Sequence, residues 1–391
     1  MKISLSNTHL ILTLCFFGLP LGLGNTLAQP IALLLLTPIL LITIKKAKKA
    51  IPLIALVTIS SIYNTIAYPN IEHSIYQFAR SGIPFLYLCI LIAGYKHLEI
   101  NIEKIITKLN TRNPQSLDRL ILAYSLGQLA QVTLFKLGFD IANAASKTET
   151  LDRVLLFPST SAIILFLYAC ITRNQILICV IGAVLLATGS KAVLLSMLAM
   201  FAISALKSAS IKSRASYASA AAALISMIFI TNPLALERLN EFLHEEKGVD
   251  ITRQYEIYHA KESFLSGPDT IFFGNGLAKP ITPGVPTNDP KWFENSKFDI
   301  ENGYWGLTAK LGVIGLIAFA AILIALPKNI MTLALLFIWT LFSFKTSYQF
   351  FTTFDGCYLI LWTTVLTTLV QHKERSKKTL NTAFNPNRQH T

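Results

Sequence analysis

Charge is what this sequence has least of. Only 14% of its 391 residues are charged and 53% are hydrophobic, whereas soluble domains carry about 25% charged residues. That shortage excludes an ordinary soluble domain and makes the bilayer the chain's main solvent. Acids are scarcer than bases, 21 against 34, for a formal net charge of +13. Cysteine is sparse as well. Cys15, Cys89, Cys170, Cys179 and Cys357 all fall in apolar segments, with no zinc-type spacing and none in a long polar loop. A disulfide framework and a zinc site are thereby excluded, and the five read as small core hydrophobes. The long polar segment also lacks the clustered Asp/Glu pair of a metal-dependent transferase, so no metal or other cofactor is expected.

What remains is apolar and helical. Runs at 8–25, 27–44, 51–68, 77–94, 117–138, 154–171, 175–190, 191–206, 216–232, 303–326, 329–345 and 350–371 predict about twelve spans. The fold class expected is an all-α polytopic bundle. The short linkers alternate in charge. Lys45, Lys46, Lys48 and Lys49 follow the second run, and Lys96, Lys104, Lys108 and Arg112 the fourth. Arg173, then Lys207, Lys212 and Arg214, then Lys328, and finally Lys373, Arg375, Lys377 and Lys378 fall on the same side. By the positive-inside rule that side is the cytoplasm, so both termini are expected there. The net charge is then a topology signal, and nucleic acid is not expected as a partner. The N-terminal "MKISLSNTHLILTLCFFGLPLGLGNTLAQP" has the makings of a signal peptide, with a small-x-small site at Thr26-Leu27-Ala28. The apolar segment that follows at once favours an uncleaved first span.

The run from Gln175 to Leu206 holds one charge, Lys191, inside "LLATGSKAVLLSML". At about 32 residues, or roughly 48 Å as helix, it is too long for one ordinary span. Both its ends carry cytoplasmic-type charge, which predicts two short spans meeting at "TGSK", with Gly189 permitting the turn. Lys191 then sits at the outer end of a helical hairpin. Taken alone, it is a snorkelling helix-end lysine.

One long hydrophilic segment separates the spans. The chain divides into N-terminal transmembrane helices at 1–231, an outer loop at 232–302, C-terminal helices at 303–371 and a basic tail at 372–391. The loop is rich in aromatics, among them Tyr255, Tyr258, Phe264, Phe272, Phe273 and Trp292. "ITRQYEIYHAKESFLSG" has helical spacing, with Ile251, Tyr255 and Tyr258 on one face, and "FFGNGLAKPITPG" reads as turn-rich backbone. Gly274 and Gly276 lack the preceding strand of a nucleotide loop and read as turn-formers. Lys310 faces either the bundle or the outer headgroups.

Ionisable residues stand at the outer ends of several spans. Arg80, Arg153, Lys191 and Arg253 are expected at one depth on one side. Singly, each reads as an anchor or a surface pair, as Arg253 would be with Asp250 or Glu256. Four together suit a lipid-linked phosphate or diphosphate, because arginine binds phosphate bidentately and lysine adds a point charge. Aromatic side chains pack on the apolar faces of sugars. Fixed cations can stabilise a diphosphate leaving group directly.

Four blocks carry a family resemblance. "ATGSKAVLL" resembles the T-G-S-R-x-A signature of bacterial O-antigen polymerases and O-antigen ligases. "ITRQYEIYHAKESFLSGPDTIFFGNGLA" is similar to their outer-loop block, and "ENGYWGLTAKLGVIGL" to their H-N block that opens a span. "RVLLFPSTSAIIL" is a weaker match to an earlier block. They come in family order between Arg153 and Leu316. The resemblance implies a metal-independent glycosyltransferase of the GT-C type, in the bacterial inner membrane and active at the periplasmic face. Its substrates would be undecaprenyl-diphosphate-linked glycans, both donor and acceptor. Membrane lipids and a chain-length regulator protein would be its other partners.

By position, Arg153, Lys191 and Arg253 would hold the diphosphates, with Arg80 and Ser190 nearby. Glu301, followed by Asn302, stands where the ligases have their presumed histidine base, and a carboxylate can take a hydroxyl proton. Tyr255, Tyr304 and Trp305 would position sugars. Lys191 replaces the family arginine and loses its planar fork. Ser159 stands for an asparagine and Leu155 for a glycine in the weak block. His244 and His259 do not align with the family histidine. The expectation is therefore an O-antigen polymerase. Glu301 argues against the alternative, a ligase that moves glycan to lipid A–core or protein. A flippase would need ionisable residues near the midplane of several spans.

Overall fold

A computed structural model of the chain describes residues 6–19, 24–67, 75–76, 78–112, 115–139, 159–187, 191–207, 219, 251–281, 300, 302–345 and 354–384. Among these residues the regular structure is entirely helical. Helix α1 is Asn7–Cys15, which runs into a 3-10 turn at Phe16–Gly18. Helix α2 is Gly24–Ile44, and α3, Ile51–Ala67, follows a 3-10 turn at Lys48–Ala50. A π turn at Phe78–Gly82 leads into α4, Ile83–Ala93, and then α5, Tyr95–Arg112. Next come α6, Ser116–Lys136, α7, Ser159–Thr172, α8, Gln175–Ala187, and α9, Lys191–Lys207. The long polar segment contributes α10, Ile251–Phe264, and α11, Pro268–Phe273. Then follow α12, Gly303–Ile324, α13, Ile330–Lys345, and α14, Phe354–Phe384.

Among the described residues, three stretches are long and apolar enough to cross a membrane: Leu27–Ile44, Lys48–Ile66 and Gly303–Ile324. Phe78–Ala93 and Tyr95–Leu109 qualify together, bent by 76°. The apolar parts of α1, α7, α8, α9 and α13 run only 10–17 residues, about 15–26 Å at 1.5 Å per residue, against a hydrocarbon core of ~30 Å. The described residues thus give a helical bundle with three to four candidate spans. The run at 216–232 lies outside the described residues apart from residue 219.

The bundle is organised around α14. From Phe354 to Val370 every residue of this helix is buried. It packs against α4, α5, α7 and α13. Its interior is studded with threonines, which an apolar setting tolerates only if their hydroxyls are satisfied. Thr363, Thr364 and Thr368 donate to the carbonyls of Leu359, Ile360 and Thr364 at 2.7, 2.8 and 2.9 Å. The sequence reading ended this span near residue 371 and left a tail. The helix instead continues to Phe384. Lys373 pairs with Asp118 at 2.9 Å and Arg375 with Glu103 at 2.8 Å, which fixes the extension to α6 and α5.

Cross-contacts define two ends of the bundle. At what we term the tail end, Gly94 touches Thr43 so closely that a Cβ would lie 2.1 Å from its Cγ2. Tyr95 OH meets Thr367 Oγ1 at 3.4 Å, and Tyr168 donates to Asp118 at 2.7 Å. At the opposite, loop end, the Cys357 thiol meets the Pro84 carbonyl and Thr160 donates to Asp355 at 3.4 Å. Lys45, Lys46, Lys48, Lys49, Lys96, Lys104, Lys108, Arg173 and Lys328 all sit at turns or on α5 toward the tail end, so the linkers that alternate in sequence gather in space.

The turn expected at "TGSK" falls on residues 188–190, outside the described residues, but the two helices expected on either side of it are present, α8 ending at Ala187 and α9 beginning at Lys191. Gly182, five residues before the end of α8, faces Met197, six residues after α9 begins. The pair is therefore antiparallel, and Lys191 opens α9 at the loop end. All five cysteines are free thiols; Cys89, Cys170 and Cys357 are buried, while Cys179 is exposed and so is not the core residue expected.

Candidate functional site

The site begins with a broken helix. Within α12, Gly312 has φ 62° and ψ −176°, outside the helical region. Such a break takes the carbonyls of the preceding turn out of the helical ladder. In an apolar setting they need other donors. Those donors come from the turn after α11. Asn275 N–H donates to Ala309 O at 2.8 Å and Gly276 N–H to Lys310 O at 3.0 Å. The Asn275 side chain adds bonds to Ala309 O at 3.2 Å, Ser263 O at 3.1 Å and Ser263 Oγ at 2.9 Å. "FGNG" is thus wedged into the break.

The other side of the wedge is α3. Leu277 N–H donates to Ser61 Oγ at 2.9 Å, and Ser60 Oγ donates to Gly274 O at 3.2 Å. The glycines are required by contact. A Cβ on Gly274 would lie 2.3 Å from Lys310 O, and one on Gly276 would lie 2.8 Å from Ser61 Cα. Both also have positive φ, +72° and +68°, which glycine adopts without a steric cost. The turn-former reading of these glycines is therefore sound, and the turn is buried. Lys310 is 1% exposed and donates to the Lys279 carbonyl, so it faces the bundle.

Replacing Asn275 by leucine is expected to destabilise this junction by about 1–3 kcal/mol, because Ala309 O and Ser263 O lose their side-chain donor in a buried site. The check is thermal unfolding of the purified variant. A wild-type midpoint would contradict it.

Helices α10 and α11 hold the wedge from outside. Thr270 locks the start of α11: its hydroxyl accepts from Gly267 N–H at 3.0 Å. α10 lies on the first turns of α12, where Ala260, Ala309, Ile281 and Ile300 form a small core with Phe264 and Trp305 against it. Lys261 Nζ stands 5.0 Å from the Trp305 ring centroid, within cation–π range. Asn302 caps α12, accepting from Trp305 N–H at 3.1 Å. Tyr304 donates to Thr340 O at 2.9 Å and ties α12 to α13.

The buried side of α10 runs through Glu256, 1% exposed, and Ala260. The face of Tyr255 and Tyr258 turns the other way: Tyr258 is 57% exposed. There a ring row forms, with Tyr255 and His259 centroids 4.3 Å apart and His259 and Tyr258 5.2 Å apart. Glu262 takes a 2.6 Å bond from the Tyr258 hydroxyl and lies 3.1 Å from His259 Nδ1. That carboxylate raises the Tyr258 phenol above its ordinary range. His259, which does not align with the family histidine, is part of this row.

The expected site residues are distributed as follows. Asn302 and Trp305 stand at the α10–α12 contact, Tyr304 reaches from α12 to α13, and Tyr255 belongs to the outward ring row of α10. Arg253 lies in the first turn of α10 and Lys191 opens α9, both on helices that start toward the loop end. Arg80, in the π turn before α4, is exposed and toward the same end. Glu301, Arg153 and Ser190 lie outside the described residues. A carboxylate passed over in the sequence, Asp355, sits 9% exposed in the first turn of α14 at the loop end. Its signal was an acid opening an apolar run, "FDGCYLILW".

Comparison with known proteins finds no match to a family model, a curated protein or a solved structure.

Proposed function

We propose that this chain is a polysaccharide polymerase of the O-antigen type, embedded in the bacterial inner membrane with about twelve spans. Both termini lie in the cytoplasm and the loop end faces the periplasm. The observation that carries this reading is the docking of the two blocks that resemble the family's loop and H-N motifs. Within them, 251–278 and 302–316 are separated in sequence yet pack as one unit through the Gly312 break. That unit offers an outward aromatic row, a fixed platform of the kind that suits a sugar ring.

In the proposed reaction the hydroxyl oxygen of one lipid-linked repeat unit attacks the anomeric carbon of another glycan. The new carbon–oxygen bond forms as the bond to diphosphate breaks, and undecaprenyl diphosphate leaves. Glu301 takes the hydroxyl proton. Arg253 and Lys191, with Arg153 or Arg80, hold the departing diphosphate's charge. Ser190 and Asn302 add hydrogen bonds, and Tyr255, Tyr304 and Trp305 line the sugars. The reaction needs no metal ion in this scheme.

Arg253→Ala is expected to abolish the long polysaccharide ladder while the membrane level of the protein stays normal. Loss of a bidentate phosphate contact in the transition state corresponds to a rate loss of about a hundredfold or more. The assay is a surface-polysaccharide gel from a deletion strain complemented with each variant. A deletion strain that keeps core plus one repeat but loses longer chains supports a polymerase. One that loses even the single repeat, with chains still built on the lipid carrier, supports a ligase. A full ladder with Arg253→Ala overturns the role given to that residue.

A further inference from the structure

The tail end carries a surface that the proposed chemistry does not use. Helix α5 leaves α4 at Gly94 with a 76° bend, so it turns sharply away from the line of α4. The bend is built in, because α2 comes so close to Gly94 that a side chain there would strike Thr43. One side of α5, with Tyr95, Leu98, Ile102, Ile105 and Ile106, is buried.

The charges of α5 are sorted by sign. Its acids turn toward α14: Glu99 receives Gln371 at 3.4 Å and Glu103 receives Arg375 at 2.8 Å. Lys96 and Lys104 turn outward. Lys96, Ile100 and Lys104 form an i, i+4, i+8 row, all exposed, with Ile100 at 50%. The turn between α2 and α3 lies alongside, since Thr43 touches Gly94 and Ala47 is buried beside Ile90. That turn exposes Lys45, Lys46, Lys48 and Lys49. Six lysines thus face outward around the end of a candidate span.

An exposed isoleucine between lysines, on a helix bent off α4 beside the end of the candidate span Leu27–Ile44, matches the boundary between acyl chains and headgroups. There the apolar side chain enters the lipid and the lysine stems reach back to phosphate. We propose that this lysine face, Lys45–Lys49 with Lys96 and Lys104, is a binding surface for the phosphate headgroups of anionic phospholipids. The proposal stands independently of the polymerase reading. It commits the outward side of α5 to the membrane leaflet at the tail end.

The test uses the purified full chain in mild detergent, titrated with phosphatidylglycerol or phosphatidylcholine. Retained lipids are counted by native mass spectrometry, and the thermal midpoint is followed in parallel. Wild type is expected to retain phosphatidylglycerol in preference, with the preference shrinking as salt rises. Each lysine near an anionic surface strengthens attraction about fivefold, so Lys96→Gln with Lys104→Gln is expected to weaken retention about 25-fold. The Lys96→Arg, Lys104→Arg pair keeps it. If the glutamine pair fails to accumulate, the salt dependence of the wild type decides. Equal retention of the two lipids by wild type overturns the proposal. So does phosphatidylglycerol retention that is unchanged in the glutamine pair, or a co-purifying protein lost from that pair without any lipid preference.

Discussion

Gly312→Ala is expected to abolish the proposed polymerisation while leaving the protein in the membrane at normal levels. Gly312 holds φ 62° with ψ −176°, a region open essentially to glycine alone and costing other residues about 1–3 kcal/mol. Space is the second obstacle. A Cβ there would lie 2.4 Å from Gly274 N and 2.7 Å from Phe272 O, both backbone atoms that no rotamer change can move. The chain has one simple escape, which is to let α12 straighten. Its own N–H groups then reclaim the Ala309 and Lys310 carbonyls, and Asn275 and Gly276 lose their acceptors. The wedge leaves α3, and α10 loses its footing on Trp305 and Ala309. Limited proteolysis within residues 251–281 is expected to speed up at least tenfold, and the polysaccharide ladder to vanish. Gly182→Ala is the control, since its Cβ would meet only Met197 Cε at 3.4 Å and Phe166 at 3.7 Å. A full ladder and unchanged proteolysis in Gly312→Ala would remove the wedge from any account of function.

Why this junction was hard to see in the sequence follows from its physics. Apolar runs mark helices locally, so the borders of α2, α3, α6 and α9 were legible to within a few residues. The Gln175–Leu206 run announced its own break by exceeding the bilayer thickness. Gly312 carries no such mark. Within "AKLGVIGLIAF" it reads as one small residue in an apolar span, and only the approach of Gly274 explains it. The Ser60 bond to Gly274 joins residues 214 apart. No local pattern encodes such a pair. The spacing of α10 correctly put Tyr255 and Tyr258 on one face, but the face that packs inward depends on a distant partner, since Ala260 and Phe264 meet Ala309 and Trp305 of α12. The tail after residue 371 looked like a solvated basic run, because its partners, Asp118 and Glu103, lie more than 250 residues earlier. Of the expected cations, what sequence logic fixed was the helix ends on which Arg80, Lys191 and Arg253 stand.

Gly127→Leu is expected to have a different and larger effect: the protein should fail to accumulate. Gly127 of α6 faces the carbonyl of Gly18 so closely that a Cβ would lie 1.9 Å from its oxygen and 2.9 Å from its carbon. Gly18 is hemmed in reciprocally, with Tyr124 atoms 2.8 to 3.1 Å from where its own Cβ would be. Small residues that let backbones approach this closely are the usual means of packing helices in lipid. The contact also sets up a cap. α1 stops at the 3-10 turn Phe16–Gly18, and the carbonyls released there are met by Gln131 Nε2, at 2.8 Å from Phe17 O and 3.2 Å from Leu19 O. A leucine at 127 must push the turn away by more than an ångström. That separates Gln131 from both carbonyls and disturbs the Tyr124–Trp362 ring pair, now 5.3 Å apart. Each carbonyl left bare away from water costs several kcal/mol, against a total stability on the order of 5–15 kcal/mol. Gly127→Ala should already lower the membrane level, while Leu126→Ala, at a 47% exposed neighbour, should not. Quantitative blotting of membrane fractions at matched transcript reads all three, and wild-type levels of Gly127→Leu would contradict the packing of α6 on the turn. The two glycines separate by their readouts. Gly127 acts on whether the bundle exists, whereas Gly312 acts on whether an assembled bundle keeps its loop-end unit in place.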